Sequence, residues 1–485
     1  MKKVTRFISL CTAAVMAAGV LSACGGKEDK TTTITWYMRK PVSDMSQQEK
    51  VDEAANKIIE SEIGAKLKFQ FIDSGAWDNK INSMISAGEE FDLILDMDST
   101  YVNNVKKNAY IDVKELVDKY APDIKAKLDD FAWKAVDFDG KYYGIPSQTF
   151  YVPYSSFAFK KDLVDKYNFD FKDVKSYAEL EPYLKQIKEN EPGMYPIAAA
   201  NNIEFPQPQT TDYLKTGYDF MIYDKANDKF ILEAESPYSL ERYKTAHDYF
   251  QKGYIAKDAA SKTEITSEIK SGKYAVFAGR RSATKTSNLY GFECVESEPT
   301  YGAISTNNVA NSVTAVSRTS KNPDKAVQLL NLIWKNTDLS NLLAYGIEGE
   351  DYTVVSGKGT PDVSIKTNSG NDVKWSIWHN WLGPLWDQWD SPWNSKASLE
   401  EMQQLNKEAE KSPILGFRPN LDSCKTEVAM LGSIFTEAKS VLNTGSMPDF
   451  DEYMTNLVKR YKDAGIDKVI AEVEKQYAEW KKANK

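Results

Sequence analysis

The chain is 485 residues long, carries a formal charge of −9 and is 42% hydrophobic, so it exceeds what one hydrophobic core usually serves and two or more domains are expected. An acidic chain without a clustered basic face is excluded from nucleic-acid binding. With only two histidines, His247 and His379, there is little room for a histidine-based metal site or catalytic triad.

Lys2, Lys3 and Arg6 precede an apolar run from Phe7 to Val20 that is too short to span a bilayer comfortably. Small residues then lead to Cys24, and this ending resembles the lipobox of bacterial lipoproteins. Residues 1–23 are expected to be removed as a signal, leaving Cys24 lipid-modified at the head of a polar tether, residues 24–32. The mature chain then has 58 basic against 70 acidic side chains, a charge of −12. Cys294 and Cys424 remain, and sequence alone does not decide whether they pair.

From Thr33 the pattern alternates between strand and helix. Thr33–Tyr37 is β-prone, and Gln48–Ile63 places Val51, Ala54, Ala55, Ile58, Ile59 and Ile63 on one helical face. Leu67, Phe69 and Phe71 alternate as a half-buried strand. Trp77, Ile81, Met84 and Ile85 mark a second helix, and Phe91–Leu95 is a short buried strand. This βαβαβ order predicts a doubly wound parallel sheet, in which ligands sit beyond the carboxyl ends of the strands. Arg39, Trp77, Asp96, Asp98 and Tyr101 become candidates by that position.

Further on, 139–146 (DGKYYGIP) predicts a tight turn feeding an extended strand, and Tyr151–Phe159 is β-prone. Lys161–Asn190 is predicted helical with a break before Pro182. Tyr195–Ala200 is a strand, followed by helices over Leu240–Gln251 and Thr263–Ser271. Gly272–Arg281 is a strand opening into a glycine and two arginines, and Asn311–Val316 is another strand. Helices are predicted over Pro323–Trp334, Leu399–Lys411, Lys425–Leu442, Asp451–Ala464 and Ile466–Lys482. Between them lies WSIWHNWLGPLWDQWDSPW, residues 375–393, which holds six of the chain's eleven tryptophans. Gly383, Pro384, Ser391 and Pro392 break any long helix there, so aromatic-rich loop with one or two helical turns is expected. Some of these rings are core material, and two or three are expected to present flat apolar faces to a ligand.

The chain has no GxSxG, HExxH, Walker, CxxC or GxGxxG motif, so no cofactor, metal or catalytic residue is assigned. Asp96 and Asp98 lack the glycine and distal glutamate of a calcium loop.

At DGKYYGIP the sequence resembles family 1 extracellular solute-binding proteins, the maltodextrin-binding-like receptors of carbohydrate ABC importers. FDLILDMDSTYVNNVKKNAYIDVKEL, KKDLVDKYNFDFKDVKSYAEL, GKYAVF and NSVTAVSRTSKNPDKAVQLLNLIW agree. GIEGEDY, GFRPNLDSCKTEVAM and KDAGIDKVIAEVEKQYAEW resemble the C-terminal extension of a LipO-like lipoprotein subgroup. The resemblance implies a two-lobed periplasmic-binding-protein-like α/β fold, each lobe a doubly wound sheet, with a hinge between lobes and a helical C-terminal region. It divides the chain into a first lobe of residues 33–147 and 306–346 and a second of 148–305 and 347–485, the chain crossing for the last time near Gly346. It also implies a monomeric, lipid-anchored, non-catalytic receptor that captures an oligosaccharide and passes it to ABC permease subunits served by a separate ATPase. Candidate ligand contacts are Arg39, Trp77, Asp98 and Tyr101 from the first lobe, and Gln148, Tyr151, Arg280 and Arg281 from the crossing and second lobe. Trp375, Trp378, Trp381 and Arg418 come from late loops. Where maltose receptors often show glycine and tryptophan, this chain has Arg280 and Arg281, a pair suited to an anionic sugar or to ion pairs between lobes. A receptor for a peptide or other solute, an exported glycoside hydrolase or lyase, and a surface adhesin are the alternatives.

Overall fold

A computed structural model of the protein describes residues 31–200, 211–214, 218–281 and 283–484; the expected signal and the Cys24 anchor lie outside them. β1 (Thr32–Arg39), β2 (Ala65–Ile72) and β3 (Leu93–Asp96) run parallel, with β1 between the other two. Val313–Val316 pairs antiparallel with β3, and Ile145–Pro146 closes that edge. The chemistry of each strand follows its place. β1 alternates, burying Ile34, Trp36 and Met38, while β3 is buried along its whole length because helices cover both sides of the sheet.

Helix α1 (Gln48–Ile63) buries Val51, Ala55 and Ile59, spaced four apart on one face, and α2 (Ser74–Ala87) buries Trp77, Ile81 and Met84. Asp52 sits beside this face, and desolvation raises its carboxyl to about 6 against the weaker opposing pull of Gln48 and Lys68. A carboxyl held above its unfolded value takes up a proton more readily in the folded state, so its charge opposes folding increasingly as pH rises from about 4 to 6. Asp52→Asn is therefore expected to raise the melting temperature at pH 7.5 and to leave it nearly unchanged at pH 4, as read by calorimetry at the two pH values.

A second sheet runs in the order Cys294–Glu296, Phe157–Lys160, Tyr274–Ala278, Tyr195–Ile197. Phe157, Phe159, Val276 and Ile197 enter one core with Leu180, Tyr183, Leu184 and Ile187. Ala158, Tyr274, Phe277 and Cys294 enter another. The expected break before Pro182 does not occur. The break falls earlier, between helices Lys161–Tyr167 and Tyr177–Asn190, and Pro182 lies inside the second helix. Proline forfeits one backbone hydrogen bond there, and burial of Leu180, Tyr183, Leu184 and Ile187 around it outweighs that loss.

A third core joins the antiparallel strands Met221–Asp224 and Lys229–Leu232 to the C-terminal helices Lys425–Thr444, Phe450–Asp463 and Ile466–Ala483. Cys424 lies in this core and Cys294 in the second sheet's, and both are buried free thiols.

Two segments cross between the first and second sheets and run antiparallel beside each other. Ser147 donates its N–H to Ser312 O at 3.0 Å, Gly302 to Pro153 O at 2.9 Å, and Tyr154 pairs with Tyr301. The helix Lys396–Glu408 lies along this ribbon, its Asn406 accepting from the Tyr151 N–H at 2.9 Å and donating to Thr149 O at 2.8 Å. The expected last crossing near Gly346 is corrected. Trp375, Ile377, Trp381 and Leu382 pack in the core of the first sheet, and the change to the core of the C-terminal helices falls at 414–417, where Ile414 and Phe417 join that core while Leu415 still packs in the first. Trp375 makes this assignment, because it tilts on Phe69 and meets Phe71 of β2 edge-on.

Candidate functional site

The first wall of the site is the carboxyl edge of the first sheet. Arg39, the last residue of β1, lies with its guanidinium 4.8 Å from the Trp77 ring centre, donates to Met97 Sδ at 3.3 Å and stands 3.5 Å from Asp78. It is thus tied to the first turn of α2 and to the loop after β3. Asp98 opens helix α3 (Asp98–Lys106) at the same edge, and its side chain lies outside the described residues. Trp77 and Tyr101 are core instead. Trp77 faces inward from α2, and Tyr101 stacks on Tyr110 and meets Phe138 edge-on with no exposed surface. Asp96 is engaged by Tyr110 at 2.5 Å and Asn104 at 2.8 Å, so its carboxylate serves the core as well.

The tryptophan stretch runs across this edge. Trp375 sits over the end of β2 and donates to Leu343 O at 2.9 Å. Asn380 O accepts from Ser312 Oγ at 2.8 Å, at the start of Val313–Val316, and Gly383 O accepts from the Gln148 N–H at 2.8 Å, just past Ile145–Pro146. Gly383 is required at that point: its φ is +117°, and a Cβ there would stand 2.2 Å from Trp334 Nε1. Two short helical pieces, His379–Leu382 and Leu385–Asp387, interrupt the loop as expected. Trp378 lies between these anchors with 54% of its surface exposed, its ring centre 4.8 Å from that of the buried Trp381. Trp375 and Trp381 are therefore support, Trp378 is presented, and Trp386 and Trp389 are half-buried. His379 is structural: it is buried against Tyr345 and Asn341, and desolvation lowers its pKa to about 3.

The second wall grows from the crossing ribbon. Phe150 meets Tyr154 at 6.0 Å and Tyr301 edge-on at 6.4 Å, and both tyrosines are among the few exposed large aromatics. Arg281 caps the cluster 4.9 Å above Phe150, paired to Glu401 at 3.2 Å and donating to Ser398 Oγ at 3.3 Å. Its φ of +66° is rare for a side-chain-bearing residue and is held by those three contacts. The turn before it is shaped by Glu296, which accepts from Ser156 Oγ at 3.0 Å, from the Arg280 N–H at 3.0 Å and from Thr286 Oγ1. A Cβ on Gly279 would stand 2.1 Å from Ser156 Oγ, so the turn packs only around glycine. Arg280 leaves its side chain exposed, whereas that of Arg281 is nearly buried.

The remaining candidates are joints. Gln148 is buried and donates to Lys127 O at 2.9 Å. Tyr151 is buried, donating its hydroxyl to Ser147 O at 2.6 Å. Arg418, beyond the last crossing, reaches back to donate to Ala135 O at 2.6 Å and lies 4.6 Å above Phe138. Phe150, Tyr154 and Tyr301 escaped the sequence reading. No local signal marks the two tyrosines, which meet only because the two crossing segments pair. Among the described residues no group of three or more His, Cys, Asp or Glu is arranged to hold a metal, and no helix is long and apolar enough to cross a membrane.

Comparison with known proteins gives a consistent set of likenesses. A family described as "Bacterial extracellular solute-binding protein" matches residues 53–343, and a domain of unknown function matches residues 413–482. A "Carbohydrate ABC transporter substrate-binding protein" of Streptococcus pneumoniae serotype 4 is 30% identical over all of both chains. The crystal structure of the N-glycan transport solute binding protein NgtS from Streptococcus pneumoniae is similar with a TM-score of 0.83 and 28% identity, over 94% of this chain and 100% of that one. The structure of NgtS in complex with Man5GlcNAc is similar with a TM-score of 0.70 and 28% identity, over 94% of this chain and 99% of that one.

Proposed function

The chain belongs to the bacterial extracellular solute-binding proteins, and from that premise we propose that it is the substrate-binding component of a carbohydrate ABC importer, a non-catalytic receptor that holds an oligosaccharide between two lobes. The observation that carries the reading is the pair of exposed aromatic surfaces flanking one crossing ribbon: Trp378 on the side of the first sheet, and Tyr154 with Tyr301 on the side of the second. Flat apolar faces of this kind match the C–H faces of pyranose rings, and planar polar groups beside them match the hydroxyls. The likeness to NgtS extends the reading to glycans built from mannose and N-acetylglucosamine. Such ligands are uncharged, which agrees with Arg281 being spent on Glu401 rather than held free for an anion.

The lobes divide where the two sheets divide: residues 33–147 and 306–346 with the tryptophan stretch in the first, 148–305 with the C-terminal helices in the second. Closure by a hinge at the crossing ribbon traps ligand, because contacts from both walls exist together only when the lobes meet. Cys24 carries the lipid that keeps the receptor at the extracytoplasmic face of the membrane, beside permease subunits driven by a separate ATPase. Arg39, Asp98, Arg280 and Trp378 are the candidates of the sequence that remain assigned to ligand, joined by Phe150, Tyr154 and Tyr301.

Calorimetric titration of the mature protein with Man5GlcNAc and with a peptide panel tests this. Heat with the glycan is expected, and Tyr301→Ala is expected to weaken it roughly three- to tenfold, the loss of one stacked ring at about 0.5–1.5 kcal/mol. Heat only with peptides overturns the oligosaccharide reading.

A further inference from the structure

Away from the crossing ribbon, the hairpin of Tyr352–Ser356 and Ser364–Thr367 stands over the segment 386–390 and the start of the helix Lys396–Glu408, enclosing a trough of about 1020 Å3. That volume lies at the upper end of small-ligand sites, about 300–1,000 Å3. Its floor is firmly built. Asp390 is threaded onto the hairpin, its N–H donating to Val363 O at 3.0 Å and its carbonyl accepting from the Ile365 N–H at 2.8 Å. Trp389 stacks on Tyr345 with ring centres 6.3 Å apart, and its backbone N–H donates to Oδ1 of the buried Asn341 at 3.0 Å.

The trough is separate from the aromatic cluster of the second wall. Ser398 and Glu401 hold Arg281, while Lys396, Leu399, Glu400 and Gln403 line the trough. At about 100° per residue these two sets occupy opposite faces of the helix. The helix is therefore a partition, with the aromatic cluster of the crossing ribbon on one side and the trough on the other.

The lining sets the ligand chemistry. Trp386 and Trp389 are half-buried and contribute rings, and Gln388 and Gln403 contribute amides. The two cations on the walls are each matched: Lys358 by Glu348 at 2.6 Å, and Lys396 by Asp362. Asp338, Asp390 and Glu400 are then surplus negative charge, which disfavours an anionic ligand. Carboxylates and amides beside half-exposed indole rings suit vicinal hydroxyls above an apolar C–H face. We infer that this trough is a second carbohydrate-binding groove, which takes an uncharged glycan chain independently of the cleft between lobes. The choice of ligand rests on the proposed oligosaccharide reading; the existence of a separate site rests on the partition and the lining.

The test is 19F NMR of the mature protein labelled with 5-fluorotryptophan, titrated with Man5GlcNAc. Trp378→Phe, Trp386→Phe and Trp389→Phe assign the three resonances. The Trp386 and Trp389 signals are expected to shift along a binding curve distinct from that of Trp378. Glu400→Arg, a change at an exposed position, is expected to weaken the groove curve at least tenfold while leaving the Trp378 curve in place. If only Trp378 responds, the groove is overturned and the cleft reading stands. If only Trp386 and Trp389 respond, the groove stands and the cleft assignment falls. If no resonance moves, both fall together.

Discussion

Trp375→Ala is expected to lower the free energy of unfolding by about 3–5 kcal/mol, whereas Trp378→Ala leaves it within about 0.5 kcal/mol and instead weakens glycan binding. The two residues are three positions apart in one loop and differ in every physical respect. Trp375 is 3% exposed, donates its indole N–H to Leu343 O and fills the space over Phe69 and Phe71, so its removal leaves a cavity in the first core and an orphaned carbonyl. Trp378 is 54% exposed and touches the core mainly through Trp381. Chemical denaturation of the two variants, paired with glycan titration, separates the roles. Equal losses of stability would mean that Trp378 is packing too, and the first wall would then lose its ring.

This contrast marks the limit of what the sequence discloses. Helix α1 is legible to its ends, because apolar spacing and a terminal glycine are local signals and the helix answers to them alone. The parallel order of β1, β2 and β3 follows from the same kind of signal, since short helical connections force crossovers. Which tryptophans are buried is not a local property. Trp375 is buried because β2, far upstream, brings Phe69 and Phe71 beneath it, and nothing within 375–393 records that partnership. Arg281 fails to be legible for the same reason, its fate being set by Glu401 on a helix of another segment. The pair Tyr154 and Tyr301 belongs to the ribbon made by two distant crossings, so neither strand announces it alone. Gln148, Tyr151 and Arg418 are read from the sequence as ligand contacts, and the structure instead commits their side chains to the backbone at Lys127, Ser147 and Ala135.

Asn406→Leu is expected to cost about 2–5 kcal/mol of stability and to loosen the hinge as it does so. The side chain is 4% exposed, and its two ends are both committed to the first crossing strand, the oxygen to the Tyr151 N–H and the nitrogen to Thr149 O. It serves that strand as a ladder partner where no neighbouring strand reaches. Leucine keeps the volume and removes both partners, leaving a buried donor and a buried acceptor, each of which costs about 1–3 kcal/mol. Asn406→Asp keeps the acceptor for Tyr151 and loses the donor to Thr149, so it is expected to fall between the wild type and the leucine variant. Urea denaturation gives the stability, and hydrogen exchange at the Tyr151 amide reads the local contact, which is expected to exchange faster in the leucine variant than global unfolding alone allows. A hinge transmits closure only if its crossing strands move as stiff rods about a few yielding residues. Slackening one rod therefore lowers affinity for glycan even though Asn406 lies behind the ribbon and touches no ligand. Unchanged affinity in a destabilised Asn406→Leu protein would show that closure does not run through this strand.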